Sequence, residues 1–195
     1  MEQTRPHWVN TLILAGGELA LALVALPFYV FLVLPKYPQG ALPGFVPVMS
    51  SDANPVLAVL ATIAVVAVCI GIVAGMSKAF GADKFQIDEL DVLLRENSTL
   101  DLVIIYIAAG FAEEFLFRVT LMDLCGIVLS TILFTAMHAA YWRKPLMLVY
   151  VFLVGLVMGL LYLYTGSLLL CAIAHAVYNL LVSLMMKAGI LPLGK

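Results

Sequence analysis

Six long apolar segments constrain what this chain can fold into more than any other feature. They lie at about residues 9–34, 55–76, 100–123, 125–141, 146–164 and 167–187. A helix needs roughly 20 apolar residues to cross a hydrocarbon core of about 30 Å. The composition agrees, since 64% of the residues are hydrophobic and only 11% are charged, unlike a soluble globular domain. The sequence therefore predicts an all-α integral membrane protein with about six transmembrane helices.

The lysines and arginines between the segments predict how the protein lies in the membrane. With six spans, all but one of these cations fall on the side of the N-terminus. That side has Arg5, Lys78, Lys84, Arg95, Arg143, Lys144, Lys187 and Lys195, and the other side has Lys36. Cytoplasmic loops carry the excess of Lys and Arg in membrane proteins. We therefore expect a multi-pass protein of the cell membrane with both termini in the cytoplasm.

Net charge and cysteine content exclude several other classes of protein. The formal net charge is −2, and no basic stripe that could follow a phosphate backbone is present, so we expect no nucleic-acid partner. The three cysteines, Cys69, Cys125 and Cys171, are odd in number and lie in apolar segments. This arrangement argues against a disulfide framework or a cysteine metal site. We expect neither a cofactor nor a metal ion.

One polar stretch, residues 77–99, separates the second and third segments. Apolar residues such as Leu90 and Leu94 recur in it among acidic ones at helical spacing. We expect an amphipathic helix along the cytoplasmic interface rather than a docking surface for a partner. The chain then divides into two N-terminal spans with this segment (1–99), a core of four spans (100–187) and a cytoplasmic tail (188–195).

Several ionisable side chains lie inside the predicted spans of the core. Each costs roughly 2.5–3.5 kcal/mol at mid-bilayer, so a functional reason is expected. The third span has Glu113, Glu114 and Arg118, the fourth has His138, and the sixth has His175 with Asn179. The spacing of Glu114 and Arg118 predicts an ion pair within one helix, as four residues place both on one face. His175 and Asn179 share a face for the same reason.

Counting from the turns indicates that these side chains lie at similar depth. Glu113 and His138 are symmetric about a turn near residues 124–126, so an antiparallel hairpin brings them to one level. His175 and Asn179 approach that level from the turn at residues 165–167. The level is nearer the cytoplasm, which predicts a site reached from that side. Phe134 precedes His138 by four residues, and we expect its ring to pack beside the imidazole and orient it.

We expect structural roles for two glycine pairs and for one further acid. Gly155 with Gly159 and Gly71 with Gly75 each form GxxxG, which allows helices to approach closely. No motif surrounds Glu18 in the first span. A polar contact inside the bundle is the expected role for this carboxylate.

The residues of the core favour hydrolysis of an amide bond. A carboxylate facing a histidine in a dehydrated pocket can hold and deprotonate a water molecule. A histidine and an asparagine across the pocket can donate hydrogen bonds to the oxyanion that forms. The sequence contains no HExxH, GxGD or GxSG motif for zinc, aspartate or serine protease chemistry.

Three motifs of the core resemble those of a known family. Residues Glu113 to Arg118 match EExxxR, Phe134 to His138 match FxxxH, and His175 to Asn179 match HxxxN. In this order they are similar to the CAAX protease and bacteriocin-processing (CPBP) family, also called Abi. The resemblance covers about residues 100–187. Val119 departs from it, because many members have glycine after the arginine.

The resemblance implies a glutamate-type intramembrane endopeptidase that cleaves prenylated CAAX proteins or processes small peptides. Glu113 would be the catalytic base acting with His138 on the attacking water, and His175 with Asn179 would form the oxyanion hole. Glu114 and Arg118 are assigned to orienting the site. The implied partners are a membrane-associated peptide or protein substrate and the lipid bilayer. The chain is shorter than the CAAX-processing members, which bears on the substrate more than on the chemistry.

Two other functions remain open from the sequence. A non-catalytic membrane protein, such as a bacteriocin self-immunity factor or a scaffold, would have the same architecture and tolerate loss of Glu113. A metal-dependent membrane hydrolase would use Glu113, His138 and His175 as three ligands with an open fourth position.

Overall fold

The computed structural model describes residues 7–45 and 54–191, which form a bundle of α-helices. The helices are α1 (His7–Phe28), α2 (Pro55–Phe80), α3 (Asp88–Glu96), α4 (Thr99–Glu114), α5 (Met122–Met137), α6 (Pro145–Thr165) and α7 (Leu168–Lys187). The prediction of an all-α membrane protein is confirmed. Predictions for Arg5 and Lys195, and for the last four residues of the tail, lie outside the described residues.

Five helical runs within the described ranges are long and apolar enough to cross a membrane. They are Trp8–Lys36, Pro55–Phe80, Thr99–Met137, Pro145–Thr165 and Leu168–Lys187. The third has 39 residues and contains two of the six predicted spans.

Gly126 divides the run Thr99–Met137 into two arms that pack against each other. Its φ of 78° and ψ of 169° are not helical, and glycine adopts positive φ without a Cβ clash. The rings of Phe117 and Phe134 lie 5.1 Å apart, whereas a continuous helix would separate these positions by about 25 Å. The predicted reversal of the chain near residues 124–126 is therefore confirmed.

The second arm is shorter than the predicted span at residues 125–141. Helix α5 ends at Met137, so the arm that starts at Gly126 is about 18 Å long. The side chains of His138 and Trp142 each donate a hydrogen bond to a backbone carbonyl in the last turn of α5. The acceptors are the carbonyl groups of Phe134 and Ala136, and both distances are 2.8 Å. The last carbonyl groups of a helix have no backbone N–H partner within the helix, and these two side chains satisfy two of them. His138 consequently lies just after the helix rather than inside it.

The end of the helical run Trp8–Lys36 is joined to the chain just before the turn at Gly126. Pro27 lies in α1 and is followed by a wider, π-helical turn over Tyr29–Val33, as expected where proline disturbs the helical hydrogen bonds. The Lys36 ammonium lies 2.7 Å from the Asp123 carboxylate, to which the Tyr37 hydroxyl donates at 2.7 Å. This hydrogen bond, with burial and the charge of Asp123, raises the pKa of Tyr37 to about 12.

The amphipathic segment forms a shorter helix than its pattern indicated, and its apolar face packs on the bundle. A 3₁₀ turn over Ala82–Phe85 precedes α3. Phe85, Ile87 and Leu94 are all buried. The apolar face therefore contacts the protein core.

The two predicted glycine pairs differ in what they contact. A Cβ on Gly155 would lie 2.9 Å from the Phe134 ring, and one on Gly159 would lie 2.9 Å from Ile127. These glycines let α6 approach α5 closely, as predicted. For Gly71 and Gly75 the prediction is wrong, because both are exposed and a Cβ would meet nothing within 4 Å. They lie on the outer face of α2, away from its neighbours.

Cations cluster at the ends of the bundle in the pattern that the sequence predicts. Lys84, Arg143 and Lys144 line one small pocket beside the start of α6. At the same end, the Lys187 ammonium donates to the Asn97 carbonyl at 2.8 Å, whereas Lys36 lies at the opposite end beside Asp123. The end that carries α3 is hereafter called the α3 end.

Candidate active site

A cavity of about 640 Å³ lies between the helices and brings the predicted catalytic residues together. Its lining contains Glu113, His138, His175 and Asn179, together with Glu18 of α1. Most of the remaining wall is apolar and comes from every helix of the bundle, α3 included. Such a cavity, apolar with a few convergent polar groups, is typical of a ligand or active site.

The ion pair predicted from the spacing of Glu114 and Arg118 is present. Arg118 Nε lies 3.1 Å from Glu114 Oε2, and the two side chains are 1% and 0% exposed. The guanidinium carbon also lies 4.9 Å from the centre of the Phe134 ring, a cation–π distance. None of the other described residues donates to or accepts from this guanidinium. The carboxylate and the ring are therefore what stabilises this buried cation.

His175 joins the two glutamates across the interface of α4 and α7. Its Nδ1 donates to Glu114 Oε1 at 2.8 Å, and its Nε2 lies 3.9 Å from Glu113 Oε2. The bond to Glu114 fixes the orientation of the ring, so that Nε2 faces Glu113 and the cavity. The sequence predicted neither contact, because spacing along one helix does not reveal which faces of two distant helices meet.

Gly110 permits this close contact and was missed by the sequence analysis. A Cβ at Gly110 would lie 2.8 Å from the carbonyl oxygen of Ala172 and 3.3 Å from the amide nitrogen of Ala176. Both atoms belong to the backbone of α7 on either side of His175. The helices therefore touch through their backbones one turn from the two glutamates. Gly110 has no glycine partner four residues away, so no GxxxG pattern marks it.

His138 is oriented by its neighbours at the end of α5. Its Nδ1 donates to the Phe134 carbonyl at 2.8 Å, and its ring lies 4.7 Å from that of Phe134. The backbone at His138 has φ −80° and ψ 63°, outside the helical region. Non-helical backbone at membrane depth is tolerated where it borders a cavity, and this residue does so.

Phe134 lies at the centre of the site and contacts three of its members. Its ring lies against the Arg118 guanidinium, 4.7 Å from the ring of His138 and 6.4 Å from that of His175. Gly155 lies behind the same ring and leaves room for it. The predicted packing of Phe134 beside His138 is therefore present, and the ring also separates Arg118 from the cavity lining.

Glu18 differs from its expected role. The sequence predicted a polar contact inside the bundle, but no hydrogen bond or ion pair joins Glu18 to another described residue. Instead its side chain lines the same cavity as Glu113. The carboxylate itself was the available signal, because an acid in a span without a partner on its own helix must face another polar group or a cavity.

The arrangement of the acidic and histidine side chains can be compared with what a metal-dependent hydrolase requires. That alternative needs Glu113, His138 and His175 as three ligands of one ion. Across residues 7–45 and 54–191, no group of three or more His, Cys, Asp or Glu side chains is arranged to hold a metal ion. What the site does present is a buried Glu113 oxygen without a hydrogen-bond partner among these residues, facing an imidazole nitrogen.

Comparison with known protein families adds to this geometry. Residues 95–181 match the model of the family described as type II CAAX prenyl endopeptidase, Rce1-like. The resemblance to the CPBP family is confirmed. The matched segment contains the three motifs and runs from the end of α3 through most of α7. The match supports a CAAX-type intramembrane protease kind of function.

A relative among curated proteins matches the same length of chain. The uncharacterized protein YpbD of Bacillus subtilis (strain 168) is 29% identical over 87 residues, which are 45% of this chain and 46% of that protein. The match thus spans about half the length of each. No solved structure matches the chain.

The departure from the family at Val119 has a structural explanation. Val119 is buried, and a Cβ on Gly44 would lie 2.6 Å from its Cγ2. The valine therefore fills the space beneath the loop that contains Gly44. It lies outside the cavity lining, so the substitution leaves Glu113 and His175 in place.

Proposed function

We propose that this protein is a glutamate-type intramembrane endopeptidase. It hydrolyses a peptide bond of a membrane-associated protein or peptide, with water as the nucleophile and without a covalent intermediate. The observation that carries the proposal is the single cavity lined by Glu113, His138, His175 and Asn179 within a bundle of apolar helices. A carboxylate, two imidazoles and an amide are costly in a membrane, so their presence in one cavity indicates a functional role.

Glu113 and His138 are the residues proposed to activate the water. Glu113 accepts a proton as the water oxygen attacks the carbonyl carbon, and His138, which lines the same cavity, orients that water. The proton then passes to the amide nitrogen, the C–N bond breaks, and the products are a carboxylate and an amine. The unpartnered Glu113 oxygen supports this assignment.

His175 and Asn179 are proposed to stabilise the oxyanion of the tetrahedral intermediate. Asn179 offers its amide N–H groups. His175 donates through Nε2 when its ring carries both protons, and the Glu114 carboxylate on Nδ1 is the natural partner of that form. Two donors preorganised in a dry site contribute strongly to catalysis.

Glu114, Arg118 and Phe134 act as positioning residues in this proposal. Glu114 holds His175, Arg118 holds Glu114, and Phe134 contacts Arg118 and both histidines. Glu114 and Arg118 lie outside the cavity lining, and the Phe134 ring is part of it.

The opening of the cavity supports a lipidated or membrane-tethered substrate, prenylated CAAX-type proteins included. Ile13, Leu14 and Met137 line the cavity and are also 54%, 41% and 52% exposed. Residues with both properties lie at its mouth. Because all three are apolar, a lipid chain or an apolar peptide can enter from the bilayer.

The test compares new peptide termini in membranes that express the wild-type protein or the Glu113→Gln variant at equal abundance. The glutamine keeps the shape of the side chain and removes the base. We expect specific termini to disappear in Glu113→Gln and in His138→Ala, and to persist in Glu96→Gln. Glu96 is an exposed acid of α3 and controls for the exchange itself.

The proposal would be wrong if Glu113→Gln produced the same termini as the wild-type protein. If Glu113→Gln also rescued the phenotype of a deletion as well as the wild type does, the protein would be a non-catalytic member of the fold, such as a self-immunity factor.

A further inference from the structure

Glu18 of α1 is an acid in the wall of the catalytic cavity that no motif includes. It lies outside residues 95–181, which match the family. It lines the same cavity as Glu113, His138 and His175, so it faces the proposed reaction centre. It forms no hydrogen bond or ion pair with another described residue.

The packing of α1 against α4 determines the level of Glu18 in the cavity. Thr11 donates to Asp101 at 2.8 Å, and further along both helices the rings of Tyr29 and Phe115 lie 5.2 Å apart. The two helices therefore run in the same direction from the α3 end. At 1.5 Å per residue, Glu18 is about 10 Å beyond the Thr11–Asp101 contact.

Glu113 lies deeper than Glu18 from the same reference contact. Its distance along α4 from Asp101 is about 18 Å. Glu18 is therefore about 7.5 Å closer to the α3 end by this contact, and about 13.5 Å closer by the Tyr29–Phe115 contact. Both values place it between the reaction centre and the mouth that Ile13 and Leu14 border. A substrate that reaches Glu113 from this mouth passes the Glu18 carboxylate.

The charge of the cavity lining is unbalanced. Among the described residues, Glu18 and Glu113 both line it and no lysine or arginine does. The His175 imidazole of the lining lies between Glu113 and Glu114 and has no hydrogen bond to Glu18. The nearest buried cation, Arg118, is paired with Glu114 behind the Phe134 ring. A carboxylate at membrane depth costs roughly 2.5–3.5 kcal/mol, and the described part of the chain supplies no cation for Glu18.

We propose that a positively charged group of the substrate pairs with Glu18, which thereby selects peptides with a lysine or arginine near the scissile bond. An extended peptide advances about 3.3 Å per residue, so an offset of about 7.5 to 13.5 Å corresponds to two to four residues. The cation lies on the side of the bond that faces the α3 end. This inference rests on the proposed function and names the substrate class for it.

The expected difference in affinity between lysine and glutamate peptides follows from the low dielectric constant of the cavity. A lysine beside Glu18 gains an ion pair that is weakly screened. A glutamate at the same position places two carboxylates together, and like-charge pairs at a binding site suppress wrong partners. Glu18 acts on substrate binding, so its effect should appear in KM more than in kcat.

The test uses the full chain in phosphatidylcholine nanodiscs and palmitoylated decapeptides of alanine and leucine. Each peptide carries one lysine, glutamine or glutamate, moved along the sequence, and mass spectrometry locates each cut. We expect wild-type kcat/KM to be about tenfold higher for lysine than for glutamate two to four residues from the cut. In Glu18→Gln the ratio should fall to about twofold, and in Glu18→Lys it should reverse.

Two outcomes would overturn the inference. One is a lysine preference that persists in Glu18→Gln. The other is equal wild-type kcat/KM for the lysine and glutamate peptides at every position. Thermal unfolding of Glu18→Gln in the same nanodiscs is the control for folding.

A binding measurement distinguishes failure of this inference from failure of the proposed function. Binding of the same peptides is measured by fluorescence anisotropy with Glu113→Gln in nanodiscs, and the signal of empty nanodiscs is subtracted. The inference is supported if Glu113→Gln binds lysine peptides more tightly than glutamate peptides and the double variant with Glu18→Gln does not. This result would support it even if the wild type cleaves no peptide. Equal binding of both overturns it, and cleavage by the wild type then still supports the protease.

Discussion

The Nδ1 nitrogen of His175 lies 2.8 Å from a carboxylate oxygen of Glu114, and this one bond joins two motifs that are 61 residues apart. The other carboxylate oxygen faces Arg118 at 3.1 Å. Glu114 therefore binds both Arg118, in the π-helical turn after α4, and the imidazole of α7. Its removal should affect both the stability of the bundle and the orientation of the histidine.

We predict that Glu114→Gln destabilises the protein by about 3–5 kcal/mol, because loss of one partner leaves Arg118 buried without a counter-charge. Thermal unfolding in detergent measures the effect. The matched control is Asp91→Asn, which removes the acid of an exposed pair with Arg95 at the same four-residue spacing. Surface pairs of this kind contribute about 0.3–0.5 kcal/mol. Equal losses in the two variants would contradict the role assigned to Glu114.

Gly155→Ala should impair the site through Phe134. The new Cβ would lie 2.9 Å from the ring, and overpacking of this kind costs about 1–3 kcal/mol. We expect kcat to fall because the ring contacts both histidines, with little change in KM. Gly75→Ala is the matched control, since its Cβ meets nothing within 4 Å. An active, fully stable Gly155→Ala enzyme would show that Phe134 does not position the histidines.

Gly110→Ala should separate α4 from α7. Its Cβ would lie 2.8 Å from a backbone oxygen of Ala172, and backbone cannot move aside as a flexible side chain can. We expect loss of activity and a lower unfolding temperature, because the shift lengthens the His175–Glu114 bond. Gly71→Ala, on the exposed face of α2, serves as the control. The close-contact explanation fails if both alanine variants behave like the wild type.

Stability at high pH should report on the contact between Tyr37 and Asp123. The pKa of Tyr37 is raised from 10.0 to about 12, so its contribution to stability is complete below pH 10 and is lost as pH rises through about 12. The difference in unfolding temperature between wild type and Tyr37→Phe should therefore be constant up to about pH 10 and then shrink. Tyr164→Phe, at an exposed tyrosine of α6, is the control for the exchange itself. A pH-independent difference would exclude this hydroxyl as the source.

Much of the fold and part of the site could be predicted from the sequence, for physical reasons that particular residues illustrate. Span length follows from bilayer thickness, and the pairing of Glu114 with Arg118 follows from helical spacing. The common depth of Glu113 and His138 follows from their symmetry about the turn at Gly126. Each of these inferences uses only distances along one helix or one hairpin.

The features that the sequence analysis missed depend on how distant helices pack. The His175–Glu114 bond requires that particular faces of α4 and α7 meet, and Gly110 matters only because α7 lies against it. The position of His138 outside α5 depends on side chains that donate hydrogen bonds to the last carbonyl groups of the helix. Glu18 was assigned to a contact because spacing on α1 does not reveal the cavity beside it.

The short second arm of the hairpin has a consequence for the lipid around it. From Gly126 to Met137 it extends about 18 Å, against a hydrocarbon core of about 30 Å. A bilayer accommodates a short hydrophobic segment by thinning locally. Beside Met137 the membrane surface should therefore dip toward the mouth of the cavity. Such a depression would shorten the path by which water, a reactant in hydrolysis, reaches Glu113.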